Sequence, residues 1–202
     1  MNNKRTLVFD VGEVLLGYRW KDMLMGYGLP ESDAVRVGTE IFKDPDRLWN
    51  KFDLGIISDE ELIAEYSKKY PEDSEAIGWF IRNAEHMPVA RPDVWGLIHE
   101  CKVAGHPIYI LSNYPESFYH KHIENADFMK DIDGLMVSFM IHKAKPDRAI
   151  YEALCRKYNL DKSECLFFDD RIENVVGARE FGMSAIQVTS QEGLVEDLKK
   201  LL

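Results

Sequence analysis

The amino-acid sequence predicts an α/β fold: a Rossmann-like three-layer αβα core on a parallel sheet, carrying an inserted helical-bundle cap. Three observations predict it. Short apolar, β-rich runs alternate with helical segments from residue 92 to residue 188; such alternation requires right-handed crossovers and a parallel sheet covered on both faces. One more strand of the same character stands alone near the N-terminus, at Arg5 to Asp10. Between the two, from about Leu16 to Pro88, the pattern is helical with mixed charge and no convincing strand. The expected division is a core of residues 1–15 and 89–202 and a cap of residues 16–88.

Taken in order, Leu7-Val8-Phe9 is too short and too β-rich for a helix and reads as a buried strand that ends at Asp10. In the cap, SDEELIAEYSKKY is the clearest helix. Ser58 stands as its N-cap and Glu61 at the capping-box position, Leu62, Ile63 and Tyr66 share a face, and Pro71 stops it. Trp49, Phe52, Trp79 and Phe80 read as core of this helical block. Beyond it, a helix is expected from near Pro92 to Gly105, then an apolar strand from Ile108 to Leu111. The cycle repeats with a strand at 134–139, a helix at 146–160, a strand at 165–170, a helix at 173–182 and a final strand at 184–188. There are no internal repeats and no low-complexity segments.

Composition narrows the function classes. A length of 202 residues suits one core domain with a smaller insert. A formal net charge of −10 disfavours non-specific nucleic-acid binding, which needs a basic face, but a local cationic cluster can still hold a small anion. Cys101, Cys155 and Cys165 are scattered, without zinc-ligand or CxxC spacing, and read as reduced cysteines of a cytoplasmic protein. Met1 to Arg5 runs directly into the first strand, leaving no room for a signal peptide, and no apolar stretch is long enough to span a bilayer. His120-Lys121-His122 resembles a metal pair, but that spacing splits the two rings on a helix, so it reads as a solvated face. His86, His99, His106 and His142 show no partner in the sequence. No GxGxxG follows the first strand, and neither GxSxG nor a Walker A motif occurs. Oligomeric state has no sequence signal here.

Open α/β sheets bind ligands outside the carboxyl ends of their strands. Strand one ends in Asp10, the second core strand in Ser112 and Asn113, and the fourth in Asp169 and Asp170. Lys145 lies in the loop HKAKPD, ahead of the helix that leads to that fourth strand. Crowded acids repel unless a cation sits among them. Hard oxygen ligands without His or Cys point to Mg²⁺, which keeps water and substrate phosphate among its ligands. Lys145 can pair with the acids and with a substrate anion, and Ser112 can hold phosphate oxygens. Neutralising a phosphoryl group on several sides is the main requirement of phosphoryl transfer. Asp10 is then placed as a carboxylate nucleophile. A receiver domain also uses an Asp, an acidic pair and a Lys, but its acidic pair lies on the first strand, which is the wrong order.

This order of motifs resembles the haloacid dehalogenase-like hydrolase superfamily over nearly the whole chain. The motifs stand as FDVGEVL with Asp10, LSN with Ser112, AKPDRAIY with Lys145, and FFDDRIENVVGAREFGM with Asp169 and Asp170. FDLGIISDEEL, ARPDVWGLI and the FFDD segment resemble in particular bacterial sugar-phosphate phosphatases that hydrolyse α-glucose-1-phosphate. The resemblance implies an aspartyl-phosphate on Asp10, hydrolysed by water. It implies Mg²⁺ held by Asp10, the Gly12 carbonyl and Asp170 with help from Asp169. It implies Ser112 and Lys145 on the phosphoryl oxygens, Asn113 supporting from its loop, and Asn174 behind the acids. The small phosphorylated substrate is then the expected partner. Dehalogenases of the superfamily share the Asp nucleophile but need no Mg²⁺, and Asp169-Asp170 argues for the metal.

The sequence departs from that pattern at Gly12, where phosphatases of the family usually carry a second Asp that protonates the leaving group and later activates water. General acid–base groups contribute about 10²–10⁴-fold. Glu13 is adjacent, yet neighbouring side chains point in different directions. Either the leaving group is good enough to need little protonation, as an anomeric or acyl phosphate is, or the cap supplies the acid, where Tyr18, Arg19 and Trp20 follow motif one. The competing expectation is a non-catalytic binding or regulatory protein on the same scaffold.

Overall fold

A computed structural model describes residues 4–202, so residues 1–3 of the expected core lie outside the described residues. The chain begins with β1 (Thr6–Phe9) and β2 (Leu16–Tyr18), then runs through α1 (Trp20–Tyr27), α2 (Glu31–Phe42), α3 (Leu48–Asp53), α4 (Asp59–Lys69) and α5 (Ser74–Arg82). It returns through β3 (Pro88–Ala90), α6 (Pro92–Val103), β4 (Ile108–Ser112), α7 (Glu116–His122) and β5 (Gly134–Val137). It finishes with α8 (Arg148–Tyr158), β6 (Cys165–Asp169), α9 (Ile172–Phe181), β7 (Ser184–Gln187) and α10 (Gln191–Lys199).

Five parallel strands form one sheet in the order β5-β4-β1-β6-β7. Every residue of β1 is buried, because the strand is central and both faces of the sheet are covered. Alternation divides its side chains between two cores. Leu7 and Phe9 join Ile98 of α6 and Leu194 of α10 on one face. Val8 joins Ile150 and Leu154 of α8 and Ala178 of α9 on the other. Phe9 stacks on Phe168 of the neighbouring strand, centroids 5.0 Å apart. The αβα core expected from the sequence is thus present, with helices α1–α5 between β2 and β3 forming the helical cap.

In the cap, α4 carries the expected capping box: the Ser58 hydroxyl accepts from the Glu61 amide at 3.3 Å, and the Glu61 carboxylate accepts from the Ser58 amide at 2.8 Å. Leu24, Ile41, Leu62, Tyr66, Ile77 and Phe80 are fully buried around its axis. Tyr66 donates to the Ile41 carbonyl, which joins α4 to α2.

Several expectations are corrected. The stretch 16–88 does contain strand: β2 pairs antiparallel with β3, Leu16 opposite Ala90 and Tyr18 opposite Pro88. Segments this short offer no alternation to read, and a proline ends the pairing. β5 stops at Val137, and Ser138–Met140 form a 3₁₀ turn, because the Ser138 hydroxyl is drawn into bonds with Tyr114 and the cap. The terminal helix α10 was not expected; Ser190 caps it, accepting from Gly193 N–H at 3.0 Å, and Leu194 and Leu198 bury against the core. His122 is no solvated residue: it is 7 % exposed, donates from Nε2 to the Ala84 carbonyl and accepts at Nδ1 from Tyr114, both at 2.7 Å. His120 faces solvent, so the spacing does split the rings, with one of them inward. His106 is also buried, its Nδ1 2.9 Å from the Arg5 carbonyl. Cys101, Cys155 and Cys165 are all free thiols. Among the described residues, no helix is long and apolar enough to cross a membrane.

Candidate active site

Because β4, β1 and β6 are neighbours and parallel, their carboxyl ends open side by side. That brings Asp10, Ser112 and Asp169 together, and the loop ahead of α8 delivers Lys145 between them. Ser112 donates from its hydroxyl to Asp10 Oδ1 at 2.6 Å, and the Val11 amide donates to the same oxygen at 2.7 Å. The Lys145 ammonium lies 2.9 Å from Asp10 Oδ2 and 2.6 Å from Asp169 Oδ2, and donates to the Leu111 carbonyl at 2.8 Å. Each of its protons thus has a partner. Ser112 and Asp169 are fully buried and Lys145 is 4 % exposed.

Asp169 is saturated: Asn174 Nδ2 lies 2.9 and 3.1 Å from its two oxygens, and the Arg171 amide donates to Oδ1 at 2.9 Å. Asn174 therefore holds Asp169 from behind. Asp170 is half-buried and takes no described side-chain hydrogen bond. Asn113, expected to support the site from its loop, lies against the Lys145 backbone. Its amide grips the Lys145 peptide at both ends, donating to the carbonyl at 3.0 Å and accepting from the N–H at 2.8 Å. It orients the ammonium.

The electrostatics are those of an under-neutralised anionic site. Burial pushes the Asp10 carboxyl up to about 7; Lys145 and Ser112 oppose the rise, while Asp169 and Asp170 add to it. Burial and Asp169 push Asp170 up to about 6. Burial alone would lower the Lys145 pKa, but the two carboxylates beside it win and raise it. One ammonium does not balance these acids. Oxygens of Asp10, Asp169 and Asp170 all lie within 4.8 Å of one another. The set fits Mg²⁺: hard oxygens, excess negative charge, and a buried Asn174 Oδ1 that has no donor among the described residues and suits a metal-bound water.

Position 12 is glycine for a visible reason. A Cβ there would stand 2.7 Å from Tyr18 Cε2 and 2.8 Å from the Tyr18 hydroxyl oxygen. The phenol of β2 fills the space that a side chain at 12 would need. Glu13 is no substitute: one carboxylate oxygen accepts from the Tyr18 amide at 3.1 Å and the other from Arg91 at 2.7 Å. Arg91 also donates to the Glu13 carbonyl at 2.6 Å, so the pair ties the start of β2 to the segment after β3. Arg19 donates to the His86 carbonyl at 2.6 Å, within the cap.

Above the acids lies a cleft of about 510 Å³, floored by Asp10, Gly12 and Asp170. Tyr18, Trp20, Phe42, Trp49 and Asp53 from the β2–cap region and Tyr114 and Phe118 from the core form its walls. Trp49 packs edge-on against Phe118 at 5.8 Å and so closes the cap onto the core. The sequence reading missed Asp53, Tyr114 and Phe118; nothing local distinguishes them from other acidic and aromatic residues.

Known proteins agree with this geometry. Residues 4–182 match the haloacid dehalogenase-like hydrolase family. A sesquiterpene phosphatase of Aspergillus oryzae is 24 % identical over 98 % of this chain and 96 % of its own length. A phosphatase of Mycobacterium tuberculosis is 26 % identical, over 96 % and 94 %. Among solved structures, a HAD-like hydrolase of Porphyromonas gingivalis superposes with a TM-score of 0.74 at 19 % identity, covering 98 % of this chain and 97 % of its own. A HAD family enzyme of Bacteroides thetaiotaomicron in complex with magnesium and inorganic phosphate gives 0.68 at 18 %, covering 92 % and 94 %. With the family match running from β1 through β6 and α9, and so taking in the cap and every strand-end acid, the chain belongs to the haloacid dehalogenase-like hydrolases.

Proposed function

We propose that this hydrolase is a Mg²⁺-dependent phosphatase of a small phosphorylated metabolite, acting through an aspartyl-phosphate on Asp10. The observation that supports it most is the pairing of Asp10 with two groups suited to phosphoryl oxygens, Ser112 on one carboxylate oxygen and Lys145 on the other. Relatives named as phosphatases, and a structural neighbour that holds magnesium with phosphate, favour the same reading. Asp10, the Gly12 carbonyl and Asp170 would hold the metal, with Asp169 kept in place beside them by Asn174. When bound, Mg²⁺ neutralises the phosphoryl oxygens and the acids around them.

Asp10 attacks phosphorus while Ser112 and Lys145 stabilise the charge on the transferring group. Asn113 fixes the Lys145 backbone and so the direction of the ammonium. Water then hydrolyses the aspartyl-phosphate. The fully retained set of Asp10, Ser112, Lys145, Asp169 and Asp170 argues against an inactive binding protein.

The leaving group belongs in the aromatic cleft. Trp20, Phe42 and Trp49 offer faces and edges for a ring, and Thr39, Lys43 and Asp53 offer polar contacts. An anomeric sugar phosphate fits both properties, with one apolar ring face and a ring of hydroxyls.

A panel of phosphorylated metabolites tests the whole reading. Hydrolysis is expected with Mg²⁺, lost on chelation, lost in Asp10→Asn, and faster for an anomeric sugar phosphate than for its 6-phosphate isomer. Full activity of Asp10→Asn would overturn the nucleophile, and equal or reversed isomer rates would remove the anomeric assignment.

A further inference from the structure

Resting on the phosphatase reading, we infer that the Asp53 carboxyl is the acid–base group that position 12 lacks: it protonates the leaving-group oxygen and then takes a proton from the attacking water.

Asp53 ends α3 in the cap, yet its main chain is fastened to the core. The Ser138 hydroxyl donates to the Asp53 carbonyl, and the same hydroxyl oxygen accepts from the Tyr114 amide at 2.9 Å. His142 Nδ1 donates to the Leu54 carbonyl at 2.7 Å. Gly55, with φ +64°, lies so close that a Cβ would stand 3.1 Å from Phe139 Cβ. Consecutive residues of the cap are thus pinned to the core beside the site, so Asp53 keeps its place over the cleft.

Its side chain has no structural duty. The other well-buried cap carboxylates are paired: Asp44 with Lys69 and Tyr70, Asp73 with Arg36. The Asp53 carboxyl receives no hydrogen bond from any described residue, although it lines the same cleft as Asp10, Gly12 and Asp170. A buried ionisable group that lines a cleft with charged groups facing it is a candidate for function. The groups that face it are Arg171 ahead of α9, Asp10 at the end of β1 and Lys145, with Tyr66 of α4 and Tyr114 after β4. Burial pushes its carboxyl up to about 8, against the pull of Arg171 and Lys145, so it carries a proton at neutral pH.

The proton balance closes. Asp10 forms a bond to phosphorus, the bond from phosphorus to the leaving oxygen breaks, and that oxygen takes the electron pair together with the Asp53 proton. Water next attacks phosphorus and gives a proton to the Asp53 carboxylate. The bond to Asp10 breaks, and both side chains return to their starting forms.

Two probes separate this role from the nucleophile's. Phenyl phosphate expels a phenoxide whose conjugate acid has a pKa of about 10, whereas acetyl phosphate expels an acetate whose conjugate acid has a pKa of about 4–5 and which needs no proton. Asp53→Asn should lower kcat/KM for phenyl phosphate by about 10²–10⁴-fold. Its kcat/KM for acetyl phosphate should stay close to wild type, while kcat falls and phosphorylated enzyme accumulates. The wild-type kcat/KM for phenyl phosphate should fall as pH rises through about 8, and the variant should lack that limb. Thermal melting checks folding, which the isosteric change should leave intact. An equal loss with both probes, or no loss with either, overturns the assignment. Asp10→Asn loses both probes if the phosphatase reading holds and neither if it fails, so the two failures are distinguishable.

Discussion

Gly12 and Tyr18 show one residue deciding what another can be. The phenol lies where a side chain at 12 would begin, so an acid cannot simply be restored there. Gly12→Asp should destabilise the protein by about 1–3 kcal/mol, the ordinary cost of overpacking a filled site, and should not raise turnover. In a Tyr18→Ala background the same change has room, and its cost should shrink. Urea unfolding of the two single variants and the double variant measures the coupling, expected at about 0.5–3 kcal/mol in favour of the pair. Strict additivity would mean that the phenol is not what keeps position 12 small. Lys145 stands at the opposite extreme: buried between Asp10 and Asp169, it has a partner for each proton, and its pKa rises in spite of burial.

Between elements, the decisive contacts are those that join the helical cap to the sheet domain: the β2–β3 ribbon, the α3 end held by Ser138, and α7 docked through His122. The last is acid-sensitive. Burial pushes the His122 imidazole down to about 4 from the ordinary 6.5, against the opposing pull of its hydrogen bond to the Ala84 carbonyl. Above 6.5 both folded and unfolded chains hold it neutral. Below that the unfolded chain binds the proton first, so its contribution to stability is lost as pH falls from 6.5 through about 4. The loss amounts to about 3 kcal/mol at roughly 1.4 kcal/mol per unit. Urea midpoints of the wild type and His122→Gln should therefore converge on acidification, and a gap constant from pH 7 to 4 would contradict the contact. None of this was readable beforehand, because His122 meets Ala84 across 38 residues of sequence. The same holds for Asp53, placed by a serine 85 residues away. By contrast, Asp10, Ser112 and Asp169 were legible because each ends an apolar run that can only be a buried strand. The capping box of α4 was legible because it is written within four consecutive residues. β2 and β3 are too short for a period to show, and Gly193 interrupts the apolar pattern of α10.

At the scale of the whole molecule, stability should be tied to the metal through pH. Without a cation, Asp10 titrates at about 7 and Asp170 at about 6, both above the ordinary 3.8 chiefly because of burial. Between 3.8 and those values the folded chain keeps protons that the unfolded chain has released, so these groups make the metal-free protein less stable as pH rises through that window. Mg²⁺ binds the deprotonated acids and must displace those protons at low pH, so it should stabilise weakly near pH 5 and fully near pH 8. At a concentration about a hundred times its Kd, a ligand of the folded state adds about 2.7 kcal/mol. For a chain of this size that is a rise in Tm of roughly 5–10 °C. Thermal melts with and without Mg²⁺ at the two pH values measure it. Asp170→Asn should flatten the response at both, since it removes a half-buried acid that no described side chain neutralises by a hydrogen bond. A Tm rise that is equal at pH 5 and pH 8, or that survives Asp170→Asn unchanged, would place the cation somewhere other than among the strand-end acids.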